Sequence, residues 1–186
     1  MINQKQLELS DKDVARYIHK IIRQMAQEHW RPDYIVGVTR GGLVPATMLS
    51  HYLDIPLHTL NVSLRDSTLG PESNLWMAED AFGYVSKEER TDEDSVSDVH
   101  RRSNILIMDD INDTGATLNW IIQDWQSGCL PNSDDWSKVW GYNVKFAALV
   151  DNSASVFDYI NYSGLTINKL EDPTWVVFPW ENWWEK

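Results

Sequence analysis

The chain is 186 residues long, the size of one domain with room for a full core, and its formal net charge of −12 argues against a nucleic-acid partner, which needs a basic stripe. A single cysteine, Cys129, excludes an intramolecular disulfide and suits a reducing compartment, and no apolar run reaches the length of a membrane span. No leader pattern is visible, so a cytoplasmic protein without a membrane partner is expected, and the N-x-S/T triplets at Asn61, Asn112 and Asn161 carry no glycosylation meaning.

In chain order, Ser10 reads as a helix N-cap with Asp11 and Asp13 in the first turn, where carboxylates favour the dipole. Val14, Ile18, Ile21, Ile22 and Met25 recur at helical spacing and predict an amphipathic helix over roughly 11–28, ended by Pro32. Residues 34–38 form an apolar run, read as a buried strand, and Gly41-Gly42 breaks it. A helix follows over 43–53, with Pro45 tolerated in its first turn. Residues 56–63 supply another strand. The stretch 66–103 is too long for an ordinary loop in a compact domain. Its second half carries Glu88, Glu89, Asp92, Glu93, Asp94 and Asp98 and reads as a solvated, mobile loop, whereas Trp76, Met77, Phe82 and Tyr84 in the first half are candidates to close over a ligand. A strand over 105–108, a helix from 114 to about 126 and a strand over 144–150 complete the pattern. Strands separated by helices predict an α/β fold, a parallel sheet flanked by helices on both faces. The C-terminal region, 160–186, reads as a small hood beside the sheet's carboxyl edge, and 1–186 as one domain.

Residues 105–118 read ILIMDDINDTGATL. A buried strand ends in Asp109-Asp110, and the small-residue turn Asp113-Thr114-Gly115-Ala116-Thr117 opens a helix. The orphan N–H groups and the dipole of such a helix start both favour an anion, so the turn suits a phosphate. Asp109 and Asp110, at a strand's carboxyl end, are placed to face ligand hydroxyls or a metal. No Walker lysine follows the glycine and no G-x-G-x-x-G occurs, which disfavours a nucleoside-triphosphatase loop and a dinucleotide fold. A second segment, residues 34–48, reads YIVGVTRGGLVPATM. In its turn, Thr39-Arg40-Gly41-Gly42, glycines let the backbone approach an anion closely and Arg40 adds a charge-assisted donor. Two such turns after two strands of one sheet fit a ligand with a phosphate at one end and a pyrophosphate at the other. The five histidines and Cys129 lack zinc-ligand spacing, and no G-x-S-x-G elbow is present.

Together these segments resemble the type I phosphoribosyltransferases, and among them the 6-oxopurine branch. The resemblance covers about 30–63 and 104–181 and is completed by Thr174-Trp175-Val176-Val177-Phe178-Pro179-Trp180-Glu181. It implies that family's fold, with a C-terminal hood and a long mobile loop. It also implies transfer of the 5-phosphoribosyl group from phosphoribosyl pyrophosphate (PRPP) to N9 of xanthine, guanine or hypoxanthine in purine salvage. By residue, it implies that Thr39, Arg40, Gly41 and Gly42 hold pyrophosphate, often with a non-proline cis peptide that here would join Thr39 to Arg40. Asp109 and Asp110 would hold the ribose hydroxyls and help organise Mg²⁺. Asp113, Thr114, Gly115, Ala116 and Thr117 would hold the 5′-phosphate, with Asp113 near purine N7 as general acid/base and Arg40 as its catalytic companion. Trp175 would stack on the purine, the Val176 backbone would read its edge, and Glu181 would touch a second metal. The implied partners are two small-molecule substrates, PRPP and a purine, with Mg²⁺ as cofactor and a homo-oligomer, dimer or tetramer, as the assembly. The charge of −12 argues for Mg²⁺ independently, since a polyanion binds such a chain poorly without a cation.

Two positions depart from the family. Its lysine after the strand over 146–150, a donor to purine O6, is missing, because the chain reads Val150-Asp151-Asn152-Ser153. Asn152 is the candidate replacement through its amide, whereas a carboxylate such as Asp151 would prefer a 6-amino group. The mobile loop begins Ser63-Leu64 where relatives commonly have Ser-Tyr. Adenine or another nucleobase therefore stays open, as does a non-catalytic regulator that senses PRPP or a nucleotide.

Overall fold

The computed structural model describes residues 5–62, 74–84 and 101–185. Along the chain run β1 (Lys5–Glu8), α1 (Asp11–Gln27), β2 (Tyr34–Thr39), α2 (Leu43–Leu53), β3 (Leu57–Asn61), α3 (Leu75–Phe82), β4 (Ile105–Asn112), α4 (Ala116–Gly128), β5 (Val144–Asn152), β6 (Ile160–Ile167) and β7 (Thr174–Val177). Five of the strands form a parallel sheet in the order β3-β2-β4-β5-β6, and β1 pairs with β7 in a separate two-stranded ribbon. Side chains of a strand point alternately to opposite faces, and the apolar runs of β2 and β4 use both. Val36, Val38, Ile105 and Ile107 meet α3 and α4 on one face, whereas Ile35, Leu106 and Met108 meet α1 and α2 on the other. Buried on both faces, these strands read as continuous apolar runs.

The first helix begins as its sequence predicts. Asp13 N donates to Ser10 Oγ at 3.2 Å while Ser10 N donates to the Asp13 carboxylate at 3.0 Å, a reciprocal capping box. It ends at Gln27, before Pro32 can act, because His29 turns left-handed at φ 52° and Trp30 N donates back to Met25 O at 3.0 Å. Strands β4 and β5 run past the predicted ends, so Asp109 and Asp110 lie within β4 rather than after it.

Two expectations are corrected. The segment 160–167 is not hood but the edge strand β6, paired along β5 from Phe146↔Ile160 to Asn152↔Ile167. Its mixture of polar residues and Gly164 hides a strand, and α1 covers it so closely that a Cβ on Gly164 would stand 2.2 Å from Tyr17 Cβ. The hood is instead built on β7 together with the N-terminal strand β1, which no local pattern announces. Trp76, Met77, Phe82 and Tyr84 do not close over a ligand. Met77 is buried against the α3–α4 side of the sheet, the Trp76 ring lies 4.9 Å from His58 and 5.8 Å from Tyr34, and Phe82 and Tyr84 pack on the same core. The acidic half of the long stretch, 87–98, and Ser63-Leu64 lie outside the described residues.

Candidate active site

Strand β2 is followed by β3 on one side of it in the sheet, and β4 by β5 on the other. The carboxyl ends of β2 and β4 therefore flank the point where the strand order reverses, the place where α/β sheets bind ligands. Both predicted anion turns open there onto one cavity of about 1280 Å³. After β2, the peptide joining Thr39 and Arg40 is cis, Thr39 Oγ1 donates to Asn61 Oδ1 at 3.0 Å, and Arg40 is exposed at the cavity wall. Gly41 is required by proximity: a Cβ there would fall 1.7 Å from Asp110 Oδ2. This contact places the backbone of one turn directly against a carboxylate of the neighbouring strand. After β4, Gly115 caps α4 at φ +87°, and a Cβ would also meet Ser155 Oγ at 2.7 Å. Thr114 and Thr117 flank it on the cavity wall.

Between the turns stand the paired carboxylates. Asp109 is buried, and its Oδ1 accepts from Asp110 N at 2.9 Å, while Asp110 Oδ1 accepts from Ile111 N at 2.8 Å. Burial, and then the Asp110 charge beside it, hold Asp109 well above the usual carboxylate range. Burial also raises Asp110, with the Glu181 charge adding to the effect. Glu181 lines the cavity, but its Oε2 accepts from Phe178 N at 3.1 Å and so closes its own turn. Among the described residues no three His, Cys, Asp or Glu side chains converge to hold a metal by themselves. Two adjacent carboxylates whose charges are penalised still suit Mg²⁺, which takes one or two carboxylates and fills its shell with water and substrate oxygens.

The hood supplies the far wall. Trp175 is 45 % exposed and Val176 is buried, and both line the cavity with Gln6, the β1 residue paired with Trp175. Among the described residues β7 pairs only with β1, which leaves its other edge for a ligand. Behind it, the Phe178 and Trp180 rings stack at 4.9 Å.

Asn152 is not positioned to read a base. It is buried, its Nδ2 donates to the Asp113 carbonyl at 2.9 Å, and its Oδ1 accepts from Lys169 N at 3.0 Å and Ala154 N at 3.2 Å. Its amide fastens the phosphate turn from behind, and Asn152 is not among the residues that line the cavity. The neighbouring chain Ser155 Oγ to Asn112 Oδ1 (2.9 Å) and Asn112 Nδ2 to Asp151 Oδ1 (2.8 Å) does the same work and engages Asp151 too. A cation reaches the cavity from another part of the chain. Lys169, between β6 and β7, lines the cavity with its Nζ 2.8 Å from Asp113 Oδ1 and 5.8 Å from the Trp175 ring centroid. No local signal marks it in the sequence, because it follows the edge strand β6, whose pattern is not that of a strand.

The fold places two turns suited to anions and an exposed indole face around one cavity of an α/β protein. The phosphoribosyl transferase domain family matches residues 3–182, and the chain belongs to it. A hypoxanthine-guanine phosphoribosyltransferase of Schizosaccharomyces pombe is 24 % identical over 193 residues, covering 88 % of this chain and 85 % of that protein. Among solved structures, a purine phosphoribosyltransferase from Pyrococcus horikoshii superposes with a TM-score of 0.62 at 24 % identity, covering 95 % of each chain. The Helicobacter pylori xanthine-guanine-hypoxanthine phosphoribosyltransferase gives 0.63 at 16 % identity, covering 98 % of this chain and 97 % of that one. Among the described residues no helix is long and apolar enough to cross a membrane.

Proposed function

We propose that this protein transfers the 5-phosphoribosyl group of PRPP to N9 of a 6-oxopurine (xanthine, guanine or hypoxanthine) and releases pyrophosphate, as a cytoplasmic purine-salvage enzyme. The observation that carries the reading is the meeting of both anion turns and the Trp175 face in one cavity. The roles of the two turns follow the family resemblance. The Gly115 turn, at the start of α4, takes the 5′-phosphate, and the Arg40–Gly42 turn takes pyrophosphate. As the bond from ribose C1 to the pyrophosphate oxygen breaks, its electron pair leaves with that oxygen, where Arg40 and the turn's amides stabilise it. N9 forms the new bond to C1, and the imidazole proton passes to Asp113 as a positioned general base. Asp109 and Asp110 accept from the ribose hydroxyls and would hold Mg²⁺, whose charge offsets that of the pyrophosphate. An indole face stacks well on a purine, since both are flat π-systems. That the fission-yeast relative is named for hypoxanthine and guanine supports the choice of base.

Incubation with PRPP and Mg²⁺ against hypoxanthine, guanine, xanthine and adenine, read as pyrophosphate release, tests this. Turnover with the first three and little with adenine is expected. A clear adenine preference would overturn the base assignment, and no release with any base would leave PRPP binding without transfer, as a sensing regulator would show.

A further inference from the structure

We infer that Lys169 selects the base by exchange, its ammonium leaving Asp113 for the C6 oxygen of a purine and thereby freeing Asp113 to take the imidazole proton. The inference rests on the transfer reading above and on Asp113 as the group that faces N7. Three observations carry it. The ammonium stands between the two groups a purine must meet, 2.8 Å from Asp113 Oδ1 and 5.8 Å from the Trp175 ring centre. It is held in place, since the Lys169 side chain is only 18 % exposed and its backbone N–H is tied to Asn152 Oδ1 at 3.0 Å. Asn152 and Asp151, the other candidates for reading C6, are committed to structural hydrogen bonds behind the phosphate turn.

The chemistry of the purine edge does the rest. In a 6-oxopurine the atom next to N7 along the edge is an acceptor, O6, whereas in adenine it is an amino donor. An ammonium has three donors and no acceptor. A group placed against N7 by Asp113 therefore finds O6 within its reach in hypoxanthine, guanine or xanthine, and the ammonium can move from carboxylate to carbonyl. Against adenine it meets a second donor, stays on Asp113, and keeps that carboxylate engaged. Selection by Lys169 acts on turnover as well as on binding, because the same move prepares the base for the proton.

The test compares kcat/KM for hypoxanthine and adenine in the wild type, K169M and K169Q. The ratio of the two bases does not depend on the fraction of enzyme that folds, so a poorly folding variant still reports it. K169M is expected to lower hypoxanthine efficiency by about tenfold to a hundredfold, the usual effect of losing a charge-assisted hydrogen bond. Its use of adenine should hold or rise, since Asp113 is released, and K169Q, with one neutral donor, should fall between. A hypoxanthine-to-adenine ratio unchanged in K169M, with both rates lowered alike, would overturn the Lys169 assignment while leaving the transfer reading intact. A wild type that releases no pyrophosphate with any purine would overturn the transfer reading first, and this assignment with it.

Discussion

At the scale of single residues, Asp113 has two engagements that separate its functions. Its carbonyl is held by Asn152 Nδ2, which fixes the phosphate turn, while its carboxylate faces the cavity and Lys169. Asp113→Asn changes only the second. Turnover should fall by about 10²–10⁴-fold, as for loss of a general acid/base. PRPP affinity, which depends on backbone amides of the turn, should stay nearly unchanged. Steady-state kinetics alongside calorimetry with PRPP checks both, and near-normal turnover would reduce Asp113 to a turn residue. Asn152 illustrates how residue type alone misleads. An amide at the end of β5 reads as a donor for O6 until its three hydrogen bonds are known. Trp175 and Gly41 both line the cavity.

At the scale of elements, the end of α1 is fastened to the sheet by Glu28. Its carboxylate pairs with Lys145 on β5 and accepts from Tyr162 OH on β6 at 2.8 Å, while Lys145 Nζ donates to Tyr162 OH at 2.9 Å. The Lys145 and then the Tyr162 hydrogen bonds hold Glu28 below its ordinary value of 4.5. A carboxyl lowered in the folded state contributes stability above its unfolded value and loses that contribution as pH falls through the lower, folded one. Glu28→Gln should therefore destabilise the protein near neutral pH by about 1 kcal/mol, a figure kept small because Glu28 is half exposed and screened. The difference should shrink as pH falls below about 4.5, where wild-type Glu28 becomes neutral in the unfolded chain and then in the folded one. Melting curves of both proteins at several pH values test this, and a gap that persists undiminished in acid would mean the glutamate acts by packing alone. Among the elements, long apolar strands and capped helices were legible in sequence to within a few residues. The edge strand β6 and the ribbon strand β1 were not, since neither is buried on both faces and neither carries a clean alternation.

For the molecule as a whole, charge governs what the cavity can accept. The chain carries −12, and Glu8, Asp109, Asp110, Asp113 and Glu181 line the cavity against Arg40 and Lys169. A multiply charged substrate entering such a field needs a cation, or the repulsion cancels what the two turns contribute. PRPP should bind at least about tenfold more tightly with Mg²⁺ than with a chelator, since each unit of cation charge near the pyrophosphate is worth a kcal/mol or more at cavity dielectrics. Calorimetric titration in both conditions checks this, and tight binding indifferent to the chelator would count against Asp109 and Asp110 as the metal's carboxylates.

The sequence by itself determined the parallel α/β architecture, the two anion turns and the aromatic wall. Each turn is written in one unbroken run of strand, turn and helix, and the aromatic wall in one short strand, so that neighbours in the chain are neighbours in space. Only the tertiary structure decided which cation meets Asp113, what Asn152 does, and that β1 completes the hood. Those outcomes depend on β6 pairing with β5 and on Gln6 lying beside Trp175, contacts between segments far apart in the chain. Burial and register bring such groups together, and no local pattern encodes them.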